Sequence, residues 1–214
     1  MMAARTHEDV LREQYFRLIP DIRRVVWYLE AETRYHTREI FQRLKTYEQL
    51  IIKSRVKECE SAVKSLRRRQ EGGIFDPEKP LNCYSLLDLP DLAGVRVLVF
   101  PRRRLIEVDR ALSSVFTQWI PDPIPDGRGG VLAPKYKGKC KNVSSEIQAE
   151  YQIVPMLIGL YWDVEHAAIY KSAPTEKAPR DKAGSEPMED LNTRVVQALL
   201  DFETGFERLE SNEN

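Results

Sequence analysis

The chain has 214 residues, 42% apolar and 31% charged, with 33 Lys plus Arg set against 33 Asp plus Glu. This composition supports an ordinary buried core and excludes collagen-like and disordered classes. The zero net charge argues against a globally basic nucleic-acid binder and leaves local basic patches open. No apolar run reaches the about 18 residues of a membrane helix, and the first residues lack the apolar stretch of a secretory signal. Cys59, Cys83 and Cys140 are far apart and form neither a disulfide framework nor a zinc motif. Together these features predict a reduced, cytoplasmic protein with no membrane attachment.

The first third reads as helical. Thr6 with Asp9 has the spacing of a capping box. Apolar residues then follow at helical steps to a break at Pro20, resume from Ile22 to Leu29, and resume again after a possible cap at Thr37. Leu50 to Val56 is β-branched and short, which suits a strand. Cys59 to Gln70 reads as a charged helix stopped by Gly72-Gly73. Gly94 to Phe100 is the clearest strand. Leu105 to Phe116 has helical spacing, and Pro121 to Gly130 is a turn cluster. Val143 to Tyr151 reads as a second strand. Ile153 to Ala168 reads as a long amphipathic helix. Residues 172–187 are polar and Pro-containing, the composition of a linker. A final seam from Met188 to Leu209 can pack on the body or on a second copy. The expected class is α+β: a mixed, mostly antiparallel sheet flanked by helices. The expected units are N-terminal helices (1–47), a core (48–171), the linker and a C-terminal helix (188–214).

Four local patterns can carry chemistry. Arg55 and Lys57 share a strand face, and two neighbouring cations repel unless an anion lies between them. The plainer alternative is a solvated basic face. Asp91, at the entrance to the strong strand, can hold a hard cation, or it can be an ordinary loop aspartate. Lys135, Lys137, Lys139 and Lys141 would share one face of an extended segment, either against an anion or as a charged edge strand. Glu146 and Gln148 point the same way in a strand. A carboxylate there, opposite Asp91, can complete a metal pair or accept a proton. Glu165-His166 follows on the next helix, where a structural role is the simpler reading.

Taken in chain order, these segments resemble the RelA/SpoT nucleotidyltransferase domain, in its small stand-alone alarmone synthetase form. The matching stretches are Ser54-Arg55-Val56-Lys57 with Ser61, Asp91-Leu92-Ala93-Gly94-Val95-Arg96, Glu146-Ile147-Gln148, and Glu165-His166 with Tyr170-Lys171. The resemblance implies a nucleotidyltransferase-like fold. It implies transfer of pyrophosphate from ATP to the 3′-hydroxyl of GDP or GTP, with release of AMP. It also implies that Asp91 and Glu146 are catalytic and hold Mg2+, and that Arg55 and Lys57 contact ATP. Ser61, Lys64, Arg96, Lys135, Tyr136, Lys137, Gln148 and His166 complete the expected nucleotide-binding set. Assembly into a homo-oligomer through the C-terminal helix is compatible with it.

The acceptor stretch departs from the family pattern. Lys139 stands where a guanine-stacking tyrosine is expected, no histidine follows it, and Tyr136 is the available substitute. Ala149-Glu150-Tyr151 replaces an expected Arg-Thr continuation. A lysine row suits a polyphosphorylated or polymeric acceptor, so a tRNA 3′ end is an alternative to GDP or GTP. A non-catalytic nucleotide-binding module is a third reading.

Overall fold

The computed structural model describes residues 6–74, 76, 78, 83–127, 129–167 and 188–212. The predicted linker and Tyr170-Lys171 lie outside the described residues.

One helix, α1 (His7–Gln42), replaces the expected series of N-terminal helices. Thr6 accepts the backbone N–H of Asp9, and the Asp9 carboxylate accepts the backbone N–H of Thr6, so the predicted capping box forms. The helix runs through Pro20, whose ring sits on the exposed side. Pro20 removes one N–H from the helix ladder and does not end it. Thr37 is no cap: it is buried mid-helix, and its hydroxyl donates to the Thr33 carbonyl. Leu11, Tyr15, Ile22, Val25, Leu29 and Ile40 form one continuous buried stripe. Packing of that stripe outweighs the single lost hydrogen bond.

Five strands form the main sheet, in the order β1-β2-β7-β6-β3. Their ranges are β1 (Gln49–Val56), β2 (Ala93–Phe100), β3 (Ile120–Pro121), β6 (Lys135–Lys139) and β7 (Gln148–Pro155). Only the β2–β7 pair is parallel. A small second sheet pairs β4 (Ile124–Pro125) with β5 (Val131–Ala133), inside what reads in sequence as turns. Helices α2 (Cys59–Glu71) and α3 (Leu105–Ser113) follow β1 and β2. The expected strand Val143–Tyr151 is displaced toward the C-terminus. Residues 141–143 form a turn, and Ser144 Oγ accepts the backbone N–H groups of Glu146 and Ile147. Consequently Ile153 belongs to β7, and the next helix, α4 (Met156–Glu165), is shorter than expected. Pro155, which cannot donate within a helix, precedes its first turn.

The two sheet faces differ. Val95, Val97, Val99, Tyr151 and Ile153 point to one side, into a core with α1, α2 and α3. On the other side, Leu98 and Val154 pack with Met156, Ile158 and Leu200, beneath α4 and α5 (Met188–Asn212). That second core covers only half of its face. The other half carries the polar residues described next.

Candidate active site

Strand register arranges the open half-face as a grid. Lys53, Arg96, Gln152 and Lys135 form one row across β1, β2, β7 and β6. Arg55, Gly94, Glu150 and Lys137 form the next row. Side chains alternate along strands, so all of these point to the same side. Gly94, with no side chain, leaves the floor between Arg55 and Glu150 open. A cavity of about 460 Å³ lies over the β1–β7 part of this grid, closed by Trp162, Asp163 and Glu165 of α4 and by His166 just after it.

Acidic groups lean in among the cations. Asp91, just before β2, accepts from Lys57 Nζ at 2.5 Å and has an Arg55 nitrogen at 3.8 Å. Its Oδ1 is buried with no partner in the structure. A buried carboxylate oxygen left unpaired is costly and is a natural seat for a cation or substrate donor. Glu150 accepts from the Gln152 amide at 2.9 Å. Burial pushes its pKa up, and the negative charge of Asp91 pushes it further. Asp163 accepts from Lys53 at 2.6 Å and from Arg96 at 2.9 Å. Asp122 bridges Lys135 at 2.6 Å and Lys137 at 2.5 Å on the far rim.

Several expected site residues converge here: Arg55, Lys57, Asp91, Arg96 and His166 meet in or beside the cavity. Lys135 and Lys137 hold the neighbouring column. Gln148 shares the face one rung beyond Glu150, opposite Lys139. Ser61 and Lys64 are exposed on α2 and do not line the cavity. Lys141 lies past the end of β6, in a turn, donating to Gln118.

Two expectations need correction. Glu146 is exposed in the turn before β7, away from the cavity; the carboxylate on the site face beside Asp91 is Glu150. The matching amide within the cavity is Gln152. The chain thus carries two Glu-x-Gln triplets four residues apart, and the second is the one in the strand. Tyr136 does not face a ligand. It sits between Lys135 and Lys137, hence on the opposite face, stacked on buried Tyr151 at 4.8 Å between ring centroids. Burial and a bond to Asp109 raise its phenol to about 12. Trp162 also lines the cavity beside His166; it lies in the segment that reads in sequence only as an amphipathic helix.

No family model and no curated protein sequence matches the chain. Solved structures do. Small alarmone synthetase 1 from Bacillus subtilis superposes with a TM-score of 0.62 at 18% identity, covering 94% of this chain and 100% of that one. The same protein bound to its product pppGpp gives 0.59 at 17%, with 94% and 98% covered. A GTP pyrophosphokinase family protein from Streptococcus pneumoniae gives 0.54 at 24%, with 94% and 95% covered. Over nearly its whole length, therefore, the chain has the fold of the small alarmone synthetases, the small stand-alone form of the RelA/SpoT-type domain.

Proposed function

We propose that the chain is an ATP-dependent pyrophosphokinase. It transfers the β,γ-pyrophosphate of ATP to the 3′-hydroxyl of GDP or GTP, releasing AMP and forming a (p)ppGpp-type alarmone. The observation that carries this reading is the electrostatic pairing of Asp91 and Glu150 beside a row of cations, on the open sheet face of a synthetase fold.

Pyrophosphate transfer needs positioning and charge neutralisation more than covalent chemistry from the protein. The acceptor 3′-oxygen bonds to the β-phosphorus, and the bond from that phosphorus to the α,β-bridging oxygen breaks. AMP leaves with the bridging oxygen. Glu150, on the site face one strand over from Gly94, is the carboxylate placed to take the hydroxyl proton. Lys53, Arg55, Lys57 and Arg96 supply positive charge on one side of Glu150, and Lys135 and Lys137 on the other.

The donor set fits Mg2+. Asp91 Oδ1 is an orphaned buried oxygen, and Glu150 stands close enough to feel its charge. Asp91 and Glu150 are the two carboxylates that would hold a magnesium ion, a hard cation that one or two carboxylates suffice to bind. When bound, the ion neutralises phosphate charge.

Turnover with γ-labelled ATP and magnesium, offering GDP, GTP, ADP and tRNA in parallel, tests the reading. The expected result is label on GDP or GTP, AMP in equal amount, and loss of both in Glu150→Gln. Label on tRNA alone would move the acceptor to the tRNA 3′ end. ATP binding without AMP from any acceptor would leave a nucleotide-binding module.

A further inference from the structure

Arg96 and Lys53 are directly paired across β1 and β2 on the same face. Two long cations so placed repel and would splay apart in water. They stay together because one residue of α4, Asp163, takes Lys53 on one oxygen and Arg96 Nη1 on the other. Gln152 accepts from Arg96 Nε at 3.2 Å, and the Trp162 ring lies 6.0 Å from the guanidinium carbon. Two edges of the guanidinium are therefore consumed by protein acceptors. What remains for a ligand is the face of its plane turned away from Trp162 and its Nη2 donors. A flat cationic plate with its edges tied down suits stacking against an aromatic ring better than forked bonding to a phosphate.

We propose that Asp163 is a positioning residue for the nucleotide: it ties down Arg96 and Lys53 so that Arg96 presents its plane to the base. This rests on the pyrophosphokinase reading of the same cavity. The Asp163 carboxylate is half-exposed at the cavity mouth, held by Lys53 and Arg96.

The test is calorimetric binding of ATP and of inorganic tripolyphosphate to the full chain, without turnover, in wild type, Asp163→Asn and Asp163→Glu. Asp163→Asn is expected to weaken ATP about tenfold, as for one lost charge-assisted bond. Tripolyphosphate should bind as before or more tightly, since a negative charge beside two cations is gone. Asp163→Glu should recover most of the ATP affinity. In turnover, KM for ATP rises while kcat stays within about twofold, because only uniform binding is lost. ATP bound as tightly by Asp163→Asn as by wild type would overturn the positioning role alone. Equal weakening of ATP and tripolyphosphate would reduce Asp163 to an anchor for α4 and overturn it too. Wild type that binds no ATP would overturn this role and the pyrophosphokinase reading together. If Asp163→Asn does not fold, Lys53→Met removes the other end of the bridge: about threefold weaker ATP with unchanged tripolyphosphate is expected, and either unchanged ATP affinity or equal weakening of both ligands overturns the proposal.

Discussion

Two clusters in this molecule join carboxylates to arginines and lysines, and they behave in opposite ways. Glu48, just before β1, is fully buried and fully satisfied. Arg103 and Arg104 bond one oxygen, and Arg104 and the Lys45 backbone N–H bond the other. Burial alone would raise its pKa, but the bonds from Arg104, Lys45 and Arg103 outweigh that and bring it down to about 2. The grid around Glu150 is open and incomplete. Asp91 keeps an unpartnered oxygen, and burial with a like charge pushes Glu150 up. The same residue types thus make a closed structural clamp in one place and an unfinished, ligand-seeking surface in the other. The deciding variable is whether the protein itself completes each carboxylate's bonds.

The largest expected effect breaks the open cluster. Glu150→Gln should lower AMP release by about 10²–10⁴-fold, the usual worth of a general base, with a melting temperature at pH 7 no lower than that of wild type, because a buried carboxylate with a raised pKa does not stabilise the fold when charged. Retained turnover would remove Glu150 from the chemistry. The closed cluster should respond in stability instead. Glu48→Ala removes the buried partner of Arg103 and Arg104, while Arg104 keeps Glu107 at 2.7 Å, and is expected to cost about 1–3 kcal/mol in urea unfolding at pH 7; a loss below about 0.5 kcal/mol would mean that the clamp behaves like a surface ion pair.

The two clusters should also separate by pH. A depressed carboxylate contributes stability above its ordinary value of 4.5 and loses it as pH falls toward about 2. Glu48 should therefore drive acid unfolding in that window, and Glu48→Gln should flatten the curve there. Glu203 of α5 has the opposite sign. Burial raises its pKa to about 7, against the opposing pull of the Leu157 backbone N–H. Its charging penalises the fold as pH rises from 4.5 through about 7. Glu203→Gln should raise the melting temperature at pH 8 and change little at pH 4.5.

Smaller effects sharpen the boundary of the site. Gly138 lies on the core face, where an added Cβ would stand 2.5 Å from the Trp119 ring. Gly138→Ala is expected to cost about 1–3 kcal/mol of stability by overpacking, measured by denaturant midpoint. The smallest effect is the most discriminating: Glu146→Ala should change stability by no more than about 0.5 kcal/mol and leave turnover intact. A large loss of activity there would reinstate the first Glu-x-Gln triplet over the second.

Local signals were enough for much of the framework. The capping box at Thr6, the β-branched run of β2 and the glycine stop after α2 depend on nearest neighbours, and the structure contains all three. The site was partly legible, because Arg55, Lys57, Asp91 and Arg96 are placed by those same well-marked elements. The parity of β6 was legible too, though unused: if Lys135 and Lys137 face the ligand, Tyr136 between them faces the core.

What the chain could not settle alone was offset. Side chains repeat every two residues in a strand, so Glu146-x-Gln148 and Glu150-x-Gln152 present the same face whatever the register. Only the turn made by Ser144, and the parallel pairing that sets Glu150 opposite Gly94, decide which pair meets Asp91. The continuity of α1 through Pro20 was decided the same way, by a buried stripe packed against the sheet. By itself, then, the sequence determined the strand β2, the helices α2 and α3, and which residue types could carry phosphate chemistry. Tertiary packing decided where strands begin and which carboxylate stands beside Asp91, because register and burial depend on contacts between segments far apart in the chain.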